Sequence, residues 1–493
     1  MRISTDLKLL VVTLLTIISI SSCEKDVLLT DPNAKLNFST ATILFNTVFA
    51  SIRAVTENFR VYNPREKAIK ISSIRLAGGS SSLFRINVNG TPGTAFSDIE
   101  IRSGDSIWVF VEVTVNPNNQ ALPYVVQDSL VFETNGNIQD IDLVAWGQNA
   151  HFFVAKKQSP NLPPYVIIDT NLNSTTTWDK NLPYVIYGGY AVVDSSTTLI
   201  ITEGTQIHFS NAGGLWVYKG GTIKVQGTKD NPVVFQGLRR ETALQEEPGQ
   251  WDRIWLNDAG AHEIDYAIIK NGFIGLQCET LFDPAMPVSL KLTNTQIRNM
   301  SGLGILARNF KIEGWNDVVS NCGLYNAALT IGGEYDFTHC TFGNFWNYGQ
   351  RTTPVMYLNN YTEDQAGNDV LVDMIKAEFK NCIIYGNNDN ELELDFKNGA
   401  LKNHLFRNCI IKADNNTPTS DPLHFDVIYR NNNPQFKNTF ENDLTLDTLA
   451  FAREKGDIMH INLSTVPPMN IDINGLARPT TGSQPDLGAY ERD

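Results

Sequence analysis

The chain reads as all-β: an antiparallel β-sandwich followed by a β-solenoid. The main observation is a phrase that recurs between about residue 260 and residue 415. An apolar residue is followed two places on by Asn, His or Tyr, and three places later by another large apolar residue. The copies are Ile264-Tyr266-Ile269, Leu292-Asn294-Ile297, Gly314-Asn316-Val319, Phe337-His339-Phe342, Phe379-Asn381-Ile384 and Phe406-Asn408-Ile411, with Gly314 breaking the apolar rule. The middle column is spaced by 28, 22, 23, 42 and 27 residues. A period in the twenties with β-branched and aromatic residues predicts stacked coils, none of which buries its apolar side alone. The polar column should stack as a ladder at a turn, where Asn tolerates left-handed backbone angles. The 42-residue gap reads as two coils, one carrying an insertion. A second observation is the alternating, turn-punctuated pattern of residues 36–155, which predicts the sandwich.

The totals agree with an ordinary folded chain. At 493 residues there is room for two or more domains, and 42% hydrophobic with 19% charged residues excludes a disordered chain. The formal charge of −14, with no basic patch, argues against nucleic acid as a partner.

Residues 1–22 carry a secretion signal: Arg2 and Lys8, the apolar run Leu9 to Ile20, then Ser21-Ser22-Cys23. The twelve residues of this run span only about 18 Å as a helix, against a bilayer core of roughly 30 Å. Small residues before a single Cys resemble a bacterial lipobox. That resemblance implies cleavage before Cys23, its lipidation, and anchoring to a membrane without a transmembrane helix. Glu24-Lys25-Asp26 resembles the surface-export signal of Bacteroidetes lipoproteins, which implies an outer-membrane or cell-surface location. Residues 23–35 then read as lipidated Cys and tether.

In the sandwich, Asn58 to Pro64, Ile69 to Ile74 and Ser106 to Val113 are strands, separated by Gly78-Gly79, Asn89-Gly90, Asn116-Pro117 and Asn135-Gly136. Tyr62-Asn63-Pro64, Ile71 to Phe84 and Leu130 to Gly147 resemble the phrases of immunoglobulin-like modules of secreted and ciliary proteins. Such modules act as spacers or docking surfaces. A joint with Pro160, Pro163 and Pro164 follows.

The solenoid is expected over residues 165–430. Leu199-Ile200-Ile201, Gly204, Ile207-His208-Phe209, Gly213 to Val217, Gly220 to Val225 and Pro232 to Phe235 resemble the opening coils of right-handed parallel β-helix proteins of the pectin-lyase-like superfamily. Trp251 to Leu256 resembles the strand that follows there, with Arg253 where Gly is usual. Residues 431–493 resemble the terminal signature of bacterial surface β-helix proteins: Pro434-Gln435-Phe436, Asp443 to Leu446, Asp472 to Arg478 and Asp486 to Glu491. This segment is expected to cap the last coil, its charges joined in salt bridges. The superfamily hosts lyases, hydrolases, epimerases and adhesins, so the resemblance implies a fold and not an activity.

Cys278, Cys322, Cys340, Cys382 and Cys409 read as small buried hydrophobes, the last three in the position after the ladder column. No CxxC or zinc spacing supports metal ligands.

Three sets of residues are candidates for chemistry. In Glu391-Leu392-Glu393-Leu394-Asp395-Phe396, strand alternation puts Glu391, Glu393 and Asp395 outside on one line. There they would serve as catalytic carboxylates or take Ca²⁺; a solvated outer face is the plainer reading. Trp346, Tyr348, Tyr357, Tyr361, Asp364 and Asp369 fall in the insertion at 345–373, where aromatic faces would stack on sugar rings. Asp252, Arg253, Asp258, His262 and Lys270 gather both signs of charge without a spacing that fixes a mechanism. The resulting expectation is a lipid-anchored lipoprotein whose β-helix binds carbohydrate or another surface polymer without catalysis. A polysaccharide lyase or glycoside hydrolase, and a protein-binding adhesin or assembly component, are the alternatives.

Overall fold

The computed structural model describes residues 27–50, 56–117, 123–241, 244–258, 260–280 and 289–492, in two compact units divided between Asn149 and Ala150. The apolar leader and Cys23 lie outside the described residues. Among the described residues no helix is long and apolar enough to cross a membrane.

The first unit is a sandwich as expected, but not wholly antiparallel, since Thr42–Phe49 pairs with Asn137–Gln148 in parallel. One sheet orders the strands Asn37–Phe38, Glu57–Tyr62, Ser106–Val113, Phe84–Val88 and Thr91–Gly93; the other orders Thr42–Phe49, Asn137–Gln148, Tyr124–Thr134, Ile69–Leu76 and Ala95–Ile101. Alternate residues such as Val109, Val111 and Val113 face a core shared with Phe59, Phe84 and Phe132. Asn63, in the resembling Tyr-Asn-Pro phrase, is buried and donates to the carbonyls of Lys67, Ile101 and Arg102, pinning the turn. The segment expected as a tether is docked from Leu28 onward. Leu28 bridges Ala68, Asn135 donates to Leu29 O, and Leu29, Ala34 and Leu36 pack on the core.

The second unit is a parallel β-helix with three faces. Its first coil begins earlier than the composition suggests: His151–Val154 pairs in parallel with Tyr184–Tyr187, and the prolines at 160–164 form a loop inside that coil. Each strand pairs in parallel with its counterpart one coil on. Face 1 includes Tyr190–Val193, Gly214–Val217, Trp251–Asn257, Gly272–Glu279, Met356–Asn359 and Leu392–Asp395. Face 2 includes Thr222–Gln226, Ala261–Asp265, Ser289–Thr293 and Met374–Lys380; face 3 includes Ala267–Lys270, Gln296–Met300, Val318–Cys322, Thr341–Asn344 and Ile383–Gly386. Leu303–Trp315 and Ala327–Thr338 run continuously from face 1 into face 2.

The polar column sits at the corner between faces 2 and 3. Tyr266, Asn294, Asn316, His339, Asn381 and Asn408 all have left-handed angles, with φ from 47° to 60°. Asn294 donates to Asp265 Oδ1 at 2.9 Å, Asn316 to Asn294 Oδ1 at 2.9 Å, and Asn381 lies 2.9 Å from His339 Nε2. Gly314 has its own reason: a Cβ there would meet Asp317 Oδ2 and the Phe337 ring. His339 and Asn381 occupy adjacent coils, since Thr338 pairs with Lys380 and Thr341 with Ile383. The 42-residue gap is therefore one coil with a long insertion, which leaves the in-register corner untouched. Cys340, Cys382 and Cys409 are buried free thiols, each donating to the carbonyl two residues before it.

The terminal segment buries Asp472, Arg478, Asp486 and Glu491 along the flank and not over the last coil. Among them only Arg478 and Glu491 form an ion pair, while Asp472 and Asp486 accept from backbone N–H groups. Leu444, Ile473, Ala489 and Tyr490 cover Val318, while Leu446, Ala450, Ala452 and Leu487 cover Ile383 and Ile410. These are outward positions of face 3, whose apolar column needs a cover more than a single strand edge does. Arg478 donates to Glu491 at 3.0 Å, to Asn316 Oδ1 at 3.0 Å and to Gly488 O. Gly488 has a φ of 84° and lies so close to Thr341 and Ile383 that a Cβ would collide with both.

Near the last coil the His404 and His424 rings stack in parallel, centroids 3.9 Å apart. Burial holds His404 down at about 4; the charges of His424 and Lys402 reinforce this, while a hydrogen bond to Lys402 O and the charge of Asp421 oppose it. The folded chain thus resists a proton that the unfolded chain accepts near pH 6.5. The stability this site contributes is complete above that value and is lost as pH falls toward 4. In urea titrations the wild type should lose up to about 3 kcal/mol more than His404→Gln between pH 7 and pH 4. A difference that does not change with pH would refute it.

Candidate functional site

Face 1 presents two straight outward columns because its strands stack in register. One runs Ile167, Val192, Trp216, Trp255, Gln277, Leu306, Ala328, Tyr357, Glu393. The other passes through Asn257, Glu279, Arg308 and Thr330 before reaching Asn359 and Asp395. From Trp255 to Glu393 the face is about 24 Å long at roughly 4.8 Å per coil.

The far end brings together much of what the sequence singled out. Asp395 Oδ2 accepts from Tyr361 at 2.6 Å and from Tyr357 at 2.9 Å, and Asn359 donates to the Tyr357 hydroxyl. Tyr325 packs on Tyr357 with ring centroids 5.6 Å apart. The Lys397 ammonium lies 4.4 Å from the Tyr361 ring centre and is paired with Asp369 at 2.7 Å. Glu393 is exposed and accepts no hydrogen bond among the described residues. Partial burial, then the neighbouring Asp395, raises its carboxyl above the usual range. The Tyr357 hydroxyl is pushed up by burial and by its bond to Asp395; that of Tyr361 is raised first by the bond itself.

Glu391 does not join this line. It precedes the strand and is fully buried, accepting from both Arg351 nitrogens at 2.6 and 2.8 Å and from the backbone of Val355 and Asn388. Burial pushes its carboxyl up, with Arg351 pulling it back. It fastens the insertion to the coil. The alternation that put three acids outside holds only for Leu392 to Asp395, where the pleat begins.

The expected binding edge at 345–373 also divides. Tyr348 donates to Glu246 O and Trp346 packs against Tyr348 and Gly323, away from Asp395 and its tyrosines. Asp364 accepts from Ala366 and Asn368 and holds the turn of the hairpin Tyr361–Glu363 and Asp369–Leu371. The third set is scattered. Asp252 and Arg253 pair on face 1, Lys270 pairs with Glu246, and His262 is buried, accepting from Ile223 N. Among the described residues no group of three or more His, Cys, Asp or Glu is placed to hold a metal ion.

The middle and near end of the face were not visible in the sequence. Glu279 is buried and accepts from Trp255 Nε1 at 2.7 Å, Gln277 at 3.0 Å, Asn257 at 3.3 Å and Arg308 at 3.4 Å. Arg253 donates to Gln277 and Asp252, and Tyr190 to Asp252. Beyond Trp255, whose ring stacks on Trp216 at 4.9 Å, the surface opens into an aromatic-walled cavity. The insertion at 239–250 separates Trp216 from Trp255 in sequence and hides the period that would have paired them.

The opening coils carry the pattern of the pectate-lyase-like β-helix domain, matched over residues 170–260. Fold and face together define a β-sandwich joined to a pectate-lyase-like parallel β-helix. No curated protein sequence matches the chain. Among solved structures, the catalytic domain of a GH87 alpha-1,3-glucanase in complex with nigerose is similar at 11% identity and a TM-score of 0.20, covering 73% of this chain and 82% of that one. The catalytic unit of the GH87 alpha-1,3-glucanase from Streptomyces thermodiastaticus gives 11% and 0.19, covering 71% and 78%. A PapD-like domain of human CEP192 gives 11% and 0.18, covering 27% of this chain and 97% of that domain. Scores this low assign neither activity nor ligand to this chain.

Glu391→Gln should cost roughly 3 kcal/mol by leaving the Arg351 charge buried and unpaired. Denaturant titration would measure it, and polymer binding by the folded variant should be unchanged. Loss of binding without loss of stability would return Glu391 to the functional face.

Proposed function

We propose that face 1 of the β-helix binds an extended carbohydrate or similar surface polymer without catalysis, on a protein held at a membrane through Cys23. The carrying observation is that the charged groups of the face other than Glu393 are already committed to protein partners. Asp395 is held by two tyrosines, Glu279 by four donors, and Arg253, Arg308 and Lys397 by carboxylates. Such a surface is rigid and prearranged, which lowers the ordering cost of binding, but it leaves little free to move protons. Tyrosine and tryptophan rings at both ends suit the C–H faces of sugars. Lipidation is supported by the apolar run ending in Ser21-Ser22-Cys23, and an outward-facing location by the charges that follow.

One observation favours a second reading, a glycoside hydrolase. Glu393 and Asp395 project side by side from one strand, and Glu393 is biased toward its protonated form, as a general acid would be. Incubation with neutral and acidic polysaccharides, with and without Ca²⁺, separates the readings. Retarded migration in polysaccharide gels, reduced in Tyr357→Ala and without release of reducing ends, is the expected result. Turnover abolished by Glu393→Gln would make the protein an enzyme. In cells, Cys23→Ala should move the protein from the membrane to the soluble fraction; unchanged membrane retention would overturn the anchor.

A further inference from the structure

The last coil ends the solenoid without a cover. Its strand Phe425–Arg430 pairs in parallel with Leu405–Ile411 on one edge and has no strand partner on the other among the described residues. Backbone donors and acceptors along such an edge are a template for another chain. We infer that this edge is the contact between two copies of the chain, which meet end to end about a two-fold axis.

The observation that carries the inference is Val427. Arg407 pairs with Asp426 and Cys409 with Ile428, so Val427 stands opposite Asn408 as the next residue of the polar column. Its φ of 54° is left-handed, like that of the rungs before it. A β-branched side chain is strained in that conformation, and Val offers no hydrogen bond to a neighbouring coil. It is also 52% exposed. An Asn would relieve the strain and suit water, as Asn408 does one coil earlier. The chain accepts both costs at the one rung with no coil after it. Strain kept at an exposed position points to a contact made outside the coil.

The surroundings agree. The terminal segment meets the earlier rungs: Asn316 donates to Ile471 O, Asn381 donates to Asp457 O, and His460 lies 3.3 Å from Asn408. Met459, next to His460 in the chain, is 81% exposed, and Leu423, just before the edge strand, is 78% exposed. Large apolar side chains left in water around an open strand edge mark an association surface. Charge selects the occupant. The edge strand carries one acid, Asp426, and one base, Arg430, so it is neutral and self-complementary in sign. Two copies of a chain with a net charge of −14 repel one another over most of their surface, and this edge is an exception. A strongly basic or strongly acidic partner would find no opposite excess here. A two-fold contact uses the same edge of both copies and closes after two.

The test follows mass by sedimentation equilibrium in the full chain carrying Cys23→Ala, so that no acyl group drives association. A dimer in equilibrium with monomer is expected, weakened about tenfold by Val427→Asn and by Leu423→Asn. Leu172→Asn, at an exposed leucine of the opening coil, should leave it unchanged. At a dilution where the dimer has dissociated, Val427→Asn should raise the urea midpoint of unfolding, because Asn tolerates the left-handed angle. A chain that stays monomeric, or a dimer that neither end variant weakens, would overturn the inference. So would a series of larger species, which a two-fold contact cannot build, or equal weakening by Leu172→Asn. A urea midpoint lowered by Val427→Asn would place the valine's role inside the coil and overturn its assignment to the contact.

Discussion

The coils from residue 261 onward depend on one backbone constraint: the chain turns left-handed at the same corner of six successive coils, from Tyr266 to Asn408. An ordinary side chain resists that conformation, and a ladder of Asn, with one Tyr and one His, accepts it. The ladder also offers side-chain donors and acceptors to the coils above and below, so the turn is satisfied by stacking. A corner that repeats in space forces the strands between corners into register. Register in turn aligns the side chains of each face into columns. The outward columns of face 1 are therefore a product of a turn on the opposite corner of the coil.

The three faces differ in what their outward columns require. On face 3 that column runs Val318, Thr341, Ile383 and Ile410, apolar but for Thr341, and the terminal segment lies over it. The close approach needs Gly488, and Arg478 ties the segment to the ladder through Asn316. Face 1 carries Gln277, Glu279, Arg308, Tyr357 and Glu393, which satisfy one another or meet solvent. It needs no cover and remains available. The distribution of cover thus closes face 3 and leaves face 1 open.

The sequence made the corner legible because the constraint acts on one residue per coil and admits few residue types. It made the buried cysteines legible for the same reason, through a column that takes small side chains. Insertions broke both kinds of inference. The gap between His339 and Asn381 looks like two coils because the insertion is as long as one, and nothing in its composition says that it leaves the register intact. Trp216 and Trp255 stack directly, yet are 39 residues apart in a chain whose period is in the twenties. Glu391 misled for a different reason. Alternation is a property of a strand, and Glu391 stands one residue before the strand begins, where Arg351 from the insertion claims it. The partner that decides the role of an acid is often distant in sequence.

Unlike a perfectly repetitive solenoid, face 1 changes at every coil: paired tryptophans, a bonded glutamate, a flat stretch at Leu306 and Ala328, then tyrosines and acids. A surface with the same side chain at each step would bind a periodic ligand in any of several registers. One with unlike ends and a smooth middle holds it in a single register, and the two ends set both direction and minimum length. The middle network still matters, because Glu279 and its donors keep the strands flat between the ends and leave no loose charge to compete. Selectivity on such a face comes from the distance between two dissimilar anchors, and that distance is fixed by the number of coils the ladder keeps in register.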